Sequence, residues 1–386
     1  MSSENFYSTN INYYGNILAS IFLVTSFLNR TLASIILIGL LLFLIYFFIK
    51  SFKYKEYKHL YNSILLILLS LCVINFAYHD ASARYIDNFT RLLILLPLLM
   101  LRYNEDFLEK TIMAISLAAL FHFTFLNLDI SYKYEGTSST SLTYGHMLSI
   151  IICVHIYQIV FKQHSFLRKI FLIISLLLTV FLYSKAASTG TILGLFLFMI
   201  YVVYKSKSKN YMIMITLPVI LIILQSPIGT KLNDMYDDIK NINQTYLYDS
   251  STNKSLRERI LYSVYAFQSI KEKPLSGIGP QNIIQDTRTF MVTNGYAADK
   301  NKHLHNEYLD IAVKFGLLPL LALVYFYYSL YLIFRKDNNI LGLIVLTLIL
   351  CANFTQAHFI HHQSIIFCTT LLYIFINLNK RLVNSA

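Results

Sequence analysis

Two imidazoles one residue apart, in Lys302-His303-Leu304-His305-Asn306-Glu307-Tyr308-Leu309, stand where a long polar stretch re-enters an apolar run. Imidazole is the side chain whose ordinary pKa lets it take up a proton near neutral pH, so either ring is a candidate general base. The run from Tyr308 to Phe334 reads as a helix with Asn306 as its cap, which places both rings at the helix's positive end. That field favours an anion and keeps a neighbouring imidazole neutral, ready to accept a proton. Two other readings stay open: an interfacial hydrogen-bonding pair, or half of a metal site, since alternate residues can share an ion.

The same polar stretch carries cations suited to an anionic partner. In Ser255-Leu256-Arg257-Glu258-Arg259-Ile260-Leu261-Tyr262 the apolar residues recur at helical spacing, with Ser255 as cap and Glu258 three residues on. A helix lying along a bilayer surface fits this pattern. Arg257 and Arg259 either snorkel from it to lipid phosphates or grip phosphate oxygens with both arms of the guanidinium. Pro274 ends the helix, and Leu275-Ser276-Gly277-Ile278-Gly279-Pro280 makes a tight turn whose Gly277 and Gly279 let backbone approach a partner closely. It is no nucleotide loop, because it lacks a Walker lysine and a preceding strand. Arg288 follows as an isolated cation, and Lys302 adjoins the histidines.

Other clusters read more plainly. The carboxylates of Asn233-Asp234-Met235-Tyr236-Asp237-Asp238 have no histidine nearby and read as a solvated helical face, so no metal is assigned. His358, His361 and His362 have a spacing that could bind zinc, but a turn flanked by aromatics reads as interfacial. Arg84 and Arg91 have Asp80 and Asp87 in their own loop as partners, with an anionic substrate as the alternative. Cys72, Cys153, Cys351 and Cys368 fall in apolar stretches and imply no disulfide framework.

The elements that must hold these groups are membrane helices. Of 386 residues, 56% are hydrophobic and only 13% charged, and the mean hydropathy is +0.54, too apolar for a soluble domain. The expected fold is all-α and polytopic, with about twelve spans near 11–29, 31–52, 60–79, 90–102, 110–128, 141–161, 169–184, 187–205, 211–227, 307–334, 339–357 and 360–378. Three parts follow: residues 1–227 with spans one to nine, an outer loop over 228–306, and 307–386 with spans ten to twelve and a tail. The first apolar stretch lacks a basic lead and a small-residue cleavage site and is expected to remain. Basic residues recur in alternate loops, at Lys50 to Lys58, Arg102 and Lys110, Lys162 to Lys169, Lys205 to Lys209, Arg335 and Lys336, and Lys380 and Arg381. The positive-inside rule therefore sets both termini in the cytoplasm and the long loop outside. The net charge of +12 partly reflects these anchors, which favour anionic membrane lipids; nothing in the chain reads as a nucleic-acid site.

The order of parts resembles the O-antigen ligase family of lipopolysaccharide assembly. Three strings carry the likeness: Ser255-Leu256-Arg257-Glu258-Arg259, Pro274-Leu275-Ser276-Gly277-Ile278-Gly279, and His303-Leu304-His305-Asn306-Glu307 followed by Leu309 and Gly316. The resemblance implies a bacterial inner-membrane enzyme with its active site on the periplasmic face. Its donor would be an undecaprenyl-pyrophosphate-linked glycan and its acceptor lipid A-core, with no cofactor. By match, His305 would activate the acceptor hydroxyl while Arg259 and Arg288 hold the pyrophosphate, and the glycan would transfer with inversion. No metal is called for, because a lipid pyrophosphate is already a good leaving group whose developing charge arginines can neutralise. His303, Arg257, Lys185, Arg84 and Lys302 are further candidates, with Asn306, Glu307, Gly277 and Gly279 in support.

Two departures stand out. Where the family has a Ser/Thr-Arg-small string, this chain reads Ser188-Thr189-Gly190-Thr191, so the charge would have to come from Lys185 one turn earlier, without the guanidinium fork. The family's glycine after Gly316 is replaced by Pro319. The nearest rival activity is O-antigen polymerisation, which shares the loop and the donor. A protein O-oligosaccharyltransferase commonly carries an additional outer domain at its C-terminal end. A transporter would call for half-chain symmetry and midplane polar groups, neither of which is legible.

Overall fold

The computed structural model describes residues 3–28, 32, 34–40, 42–43, 54–79, 82–126, 141–161, 169–175, 196, 236, 254–296, 303–354 and 362–378. Among these the regular elements are helical: α1 (Ser3–Leu28), α2 (Tyr54–Cys72), α3 (Asp87–Ile94), α4 (Glu105–Leu126), α5 (Ser141–Phe161), α6 (Lys254–Glu272), α7 (Ile283–Thr293), α8 (Glu307–Phe315), α9 (Leu317–Lys336), α10 (Ile340–Asn353) and α11 (His362–Ile376). The expected stretches near 31–52, 169–184, 187–205 and 211–227 lie wholly or largely outside the described residues, as does the loop from 228 to 253.

Burial explains how these helices assemble. α11 hides Ile365, Ile366, Phe367, Leu371, Leu372, Tyr373, Ile374 and Phe375 all round its circumference, which marks it as a central helix. α2 and α9 pack along each other and each turns an apolar stripe outward. On α2 and the π-helical turn Val73–Tyr78 that continues it, the stripe is Leu65, Leu66, Leu69, Val73 and Phe76; on α9 it is Leu318, Leu321, Val324, Tyr328 and Tyr331. These two, at Tyr57–Tyr78 and Leu317–Lys336, are long and apolar enough to cross a membrane, and their outward stripes suit a lipid boundary.

Two expected spans are interrupted. The stretch near 90–102 is α3 followed by a 3-10 turn at Leu96–Met100, because Pro97 removes a backbone donor and α3 stops just before it. The stretch near 307–334 is broken at Gly316, whose φ of 84° no continuous helix permits. Elsewhere α5, α10 and α11 follow the apolar runs closely, while α1, α2 and α4 open earlier than expected, at Ser3, Tyr54 and Glu105.

Loop ends gather at two places. At one, Asn377 accepts from the Tyr57 hydroxyl (2.8 Å) and donates to the carbonyls of Leu99 and Leu101, while Tyr103 bridges Leu378 and Asn12 accepts from the Arg102 amide (3.1 Å). At the other, His79 at the end of α2 meets the glycine turn: Nε2 lies 2.7 Å from the Ser276 carbonyl, and Gln281 donates to the His79 carbonyl (3.0 Å).

Candidate active site

A second, smaller core sits beside the main bundle. It joins Leu261, Tyr262, Tyr265 and Ala266 of α6 with Ile278, Ile283 and Met291, and with Leu304 and Val313 on either side of the start of α8. The helix starting near Ser255 forms as its spacing predicts, opening at Lys254. Its inner face packs on α7 and α8, and Val264 and Phe267 stay exposed.

The glycine turn closes the break between α8 and α9. A helix end leaves carbonyls without partners, and inside an apolar bundle each must be met by protein. Ile278 N donates to Val313 O (2.8 Å), Gly279 N to Lys314 O (3.1 Å), and Leu317 N, the first orphan donor of α9, reaches Pro274 O (2.8 Å). The approach is too close for side chains: a Cβ on Gly277 would lie 2.6 Å from Val313 O, and one on Gly316 would run into the Leu275 carbonyl. Gly277 and Gly279, at φ 65° and 91°, thus let the turn seat on the end of α8.

The histidines stand at the opposite end of α8. Asn306 is its N-cap, accepting from Leu309 N (3.1 Å), as its position before the apolar run predicts. His305, just before the cap, has φ 53°, a left-handed conformation that costs a non-glycine residue about 1–3 kcal/mol and persists only where its surroundings impose it. The His303 and His305 rings lie 4.4 Å apart between centroids at 65°. The ring of Tyr262, only 1% exposed, is 6.3 Å from that of His305.

Arg259 lies one turn before Tyr262 on α6. Burial pulls the Arg259 guanidinium below its ordinary value, with the adjacent Glu258 carboxylate opposing, and its charge is felt at His146 on α5. Arg257 is buried, at 4% exposure. Arg288 is exposed on α7 beside the buried Thr287. Burial pushes the Tyr265 hydroxyl up to about 12, and it raises Asp286 against the pull of Lys273.

Polar groups absent from the sequence reading surround these residues. Asp310 and Lys314 form an ion pair (2.5 Å) with 2% and 9% side-chain exposure, and Asp310 Oδ1 also accepts from Leu304 N (3.0 Å). Their spacing of four inside an apolar run was the available signal, since charges in such a run are costly unless paired. Glu307 is fully buried. Arg91 pairs with Asp87 (3.1 Å), the partner of its first reading, one turn away on α3 and not in a loop. Lys185, Lys302, Asp80, His358 and His361, and the side chains of Arg84 and His362, lie outside what is described. Among the described residues no three His, Cys, Asp or Glu side chains gather as a metal set. A cavity of about 10 Å³ between α5, α10 and α11, lined by His146, Ser149, Ala352 and Cys368, has room for one water and not for a sugar.

Comparison with known proteins finds a likeness over the stretch that carries these residues. Residues 170–324, which include Arg259, Tyr262, His305 and Asp310, match the family model described as O-antigen ligase. An uncharacterized protein of Haemophilus influenzae is 26% identical over 350 residues, covering 84% of this chain and 85% of that protein.

Proposed function

From the premise that this chain is a helical membrane protein of the O-antigen ligase family, we propose that it transfers a glycan from undecaprenyl pyrophosphate to a hydroxyl of lipid A-core. The observation that carries the reading is the geometry at the start of α8, where His305 is fixed by a capped helix and faces Tyr262 on the helix that bears Arg259.

The reaction needs a proton acceptor and a sink for phosphate charge. His305 takes the proton from the acceptor hydroxyl as its oxygen bonds to the anomeric carbon. The bond from that carbon to the pyrophosphate oxygen breaks, and its electron pair leaves with the lipid-linked pyrophosphate. Attack comes from the face opposite the leaving group and inverts the anomeric centre. Arg259 meets the developing charge, and its partial burial makes the contact stronger than it would be in water. Arg257 lies on the same helix near it. Arg288 is a donor contact only if the glycan reaches the exposed side of α7. The active site is placed on the periplasmic face of the inner membrane, with both termini cytoplasmic. Support for that orientation comes from the basic residues of alternate loops, Lys50 to Lys58 and Arg335 and Lys336 among them, which the positive-inside rule keeps in the cytoplasm.

The test is deletion of the protein in its host, with wild type or His305→Ala restored, and surface glycan resolved on gels. Polymer held on the undecaprenyl carrier with bare lipid A-core, rescued by wild type and not by His305→Ala, is the expected result. Single repeat units capping the core would assign the protein to polymerisation, and wild-type transfer by His305→Ala would remove the base assignment.

A further inference from the structure

The left-handed conformation of His305 needs something that imposes it, and the contacts around Leu304 supply a candidate. Asp310 grips the loop twice. Its backbone N donates to Asn306 O (2.9 Å), and its side chain reaches back past the cap to accept from Leu304 N (3.0 Å). Leu304 is 3% exposed and packed in the small core, so its own side chain fixes the loop from the other direction. Both anchors lie within one residue of the bond whose rotation aims the His305 ring.

A carboxylate so deeply buried needs a counter-charge, and Lys314 supplies it one turn along α8 (2.5 Å). The same lysine's carbonyl accepts from Gly279 N, and Gly279 lies against the His79 ring, so the pair sits where the histidine loop, α8 and the glycine turn meet. A lysine and an aspartate with only structural duty could be replaced by apolar residues of like volume without harm. The carboxylate's bond to Leu304 N has no such substitute.

We propose that Asp310, held by Lys314, is the positioning residue that sets the orientation of His305 for proton transfer. Asp310 touches no substrate; it acts through the Leu304 amide. This rests on the assignment of His305 as the base, and the controls are chosen so that the two can fail separately.

The test compares two double variants that both remove the ion pair: Asp310→Asn with Lys314→Met, and Asp310→Leu with Lys314→Met. Each is purified in detergent and assayed with a synthetic undecaprenyl-pyrophosphate glycan and lipid A-core, beside wild type and His305→Ala. Asn keeps an oxygen for Leu304 N and should hold kcat within about threefold of wild type. Leu removes that acceptor and should lower kcat by about thirtyfold or more, while donor KM changes by less than about twofold. Equal kcat in the two variants overturns the proposal, as does failure of both to accumulate, which would make the pair a folding element only. If His305→Ala transfers normally, the base assignment itself has failed; if it is inactive while the two variants match, only the positioning role has.

Discussion

α8 and α9 are two halves of one apolar stretch, separated by a single glycine, yet they are held in opposite ways. α9 buries Ala322, Leu323, Phe326, Leu330 and Phe334 at 1% exposure or less and turns other apolar residues outward. α8 buries Glu307, Asp310 and Lys314 among its apolar residues, and both its ends are closed by specific hydrogen bonds. Apolar packing tolerates exchange of one side chain for another of similar volume, whereas removing one partner of a buried charge pair, or one contact of a filled helix break, leaves a charge or a polar group unmet. The difference separates the part of the span that rests on packing from the part that carries the proposed chemistry.

That contrast can be broken most sharply at His305. Substitution by Ala should lower turnover by about 10²–10⁴-fold, the usual contribution of a general base, with the protein still accumulating in the membrane. Equal loss of protein would make the residue structural. Gly316→Val tests the joint between the two helices. A branched side chain at φ 84° against the Leu275 carbonyl should cost about 3 kcal/mol or more, seen as a fall in Tm in detergent and in membrane yield. A stable Val variant would mean that the glycine turn is not seated on α8.

Leu330→Ala on α9 should cost about 2–3 kcal/mol of stability and leave kcat per folded molecule unchanged, which separates it from every change at the start of α8. Arg259→Lys keeps the charge and loses the two-armed contact, so donor KM should rise about tenfold with a smaller change in kcat; an unchanged KM would take the pyrophosphate away from this residue. The smallest effect belongs to Arg91→Ala. Its partner Asp87 is 49% exposed, so the pair should contribute less than about 1 kcal/mol, and transfer in membranes should stay within twofold.

What was legible in the sequence follows from the range of the forces involved. The cap at Asn306 is a local contact with Leu309, three residues away, and its residue type and position announce it. The helix bearing Arg259 shows in its own periodicity. Gly277 and Gly279 announce a close approach but not its target, since the carbonyls of Val313 and Lys314 lie more than thirty residues on. The meeting of Tyr262 and His305 is equally non-local, so nothing near Tyr262 marks it. Asp310 and Lys314 were hidden for another reason: averaged hydropathy dilutes two charges in an apolar window, and only their spacing shows that they can neutralise each other. The break that Gly316 makes is invisible to hydropathy, which carries no information about φ.

The joint at Asn377 has a consequence for synthesis. Its side chain ties Tyr57, 320 residues upstream, to the carbonyls of Leu99 and Leu101, about 280 residues upstream. None of these bonds can form until nearly the whole chain has left the ribosome, whereas the contacts among α6, α7 and α8 span fewer than sixty residues. The corner built by α6, α7 and α8 can therefore be assembled while the opposite end of the bundle is still open, and the closing step of biogenesis is the arrival of α11.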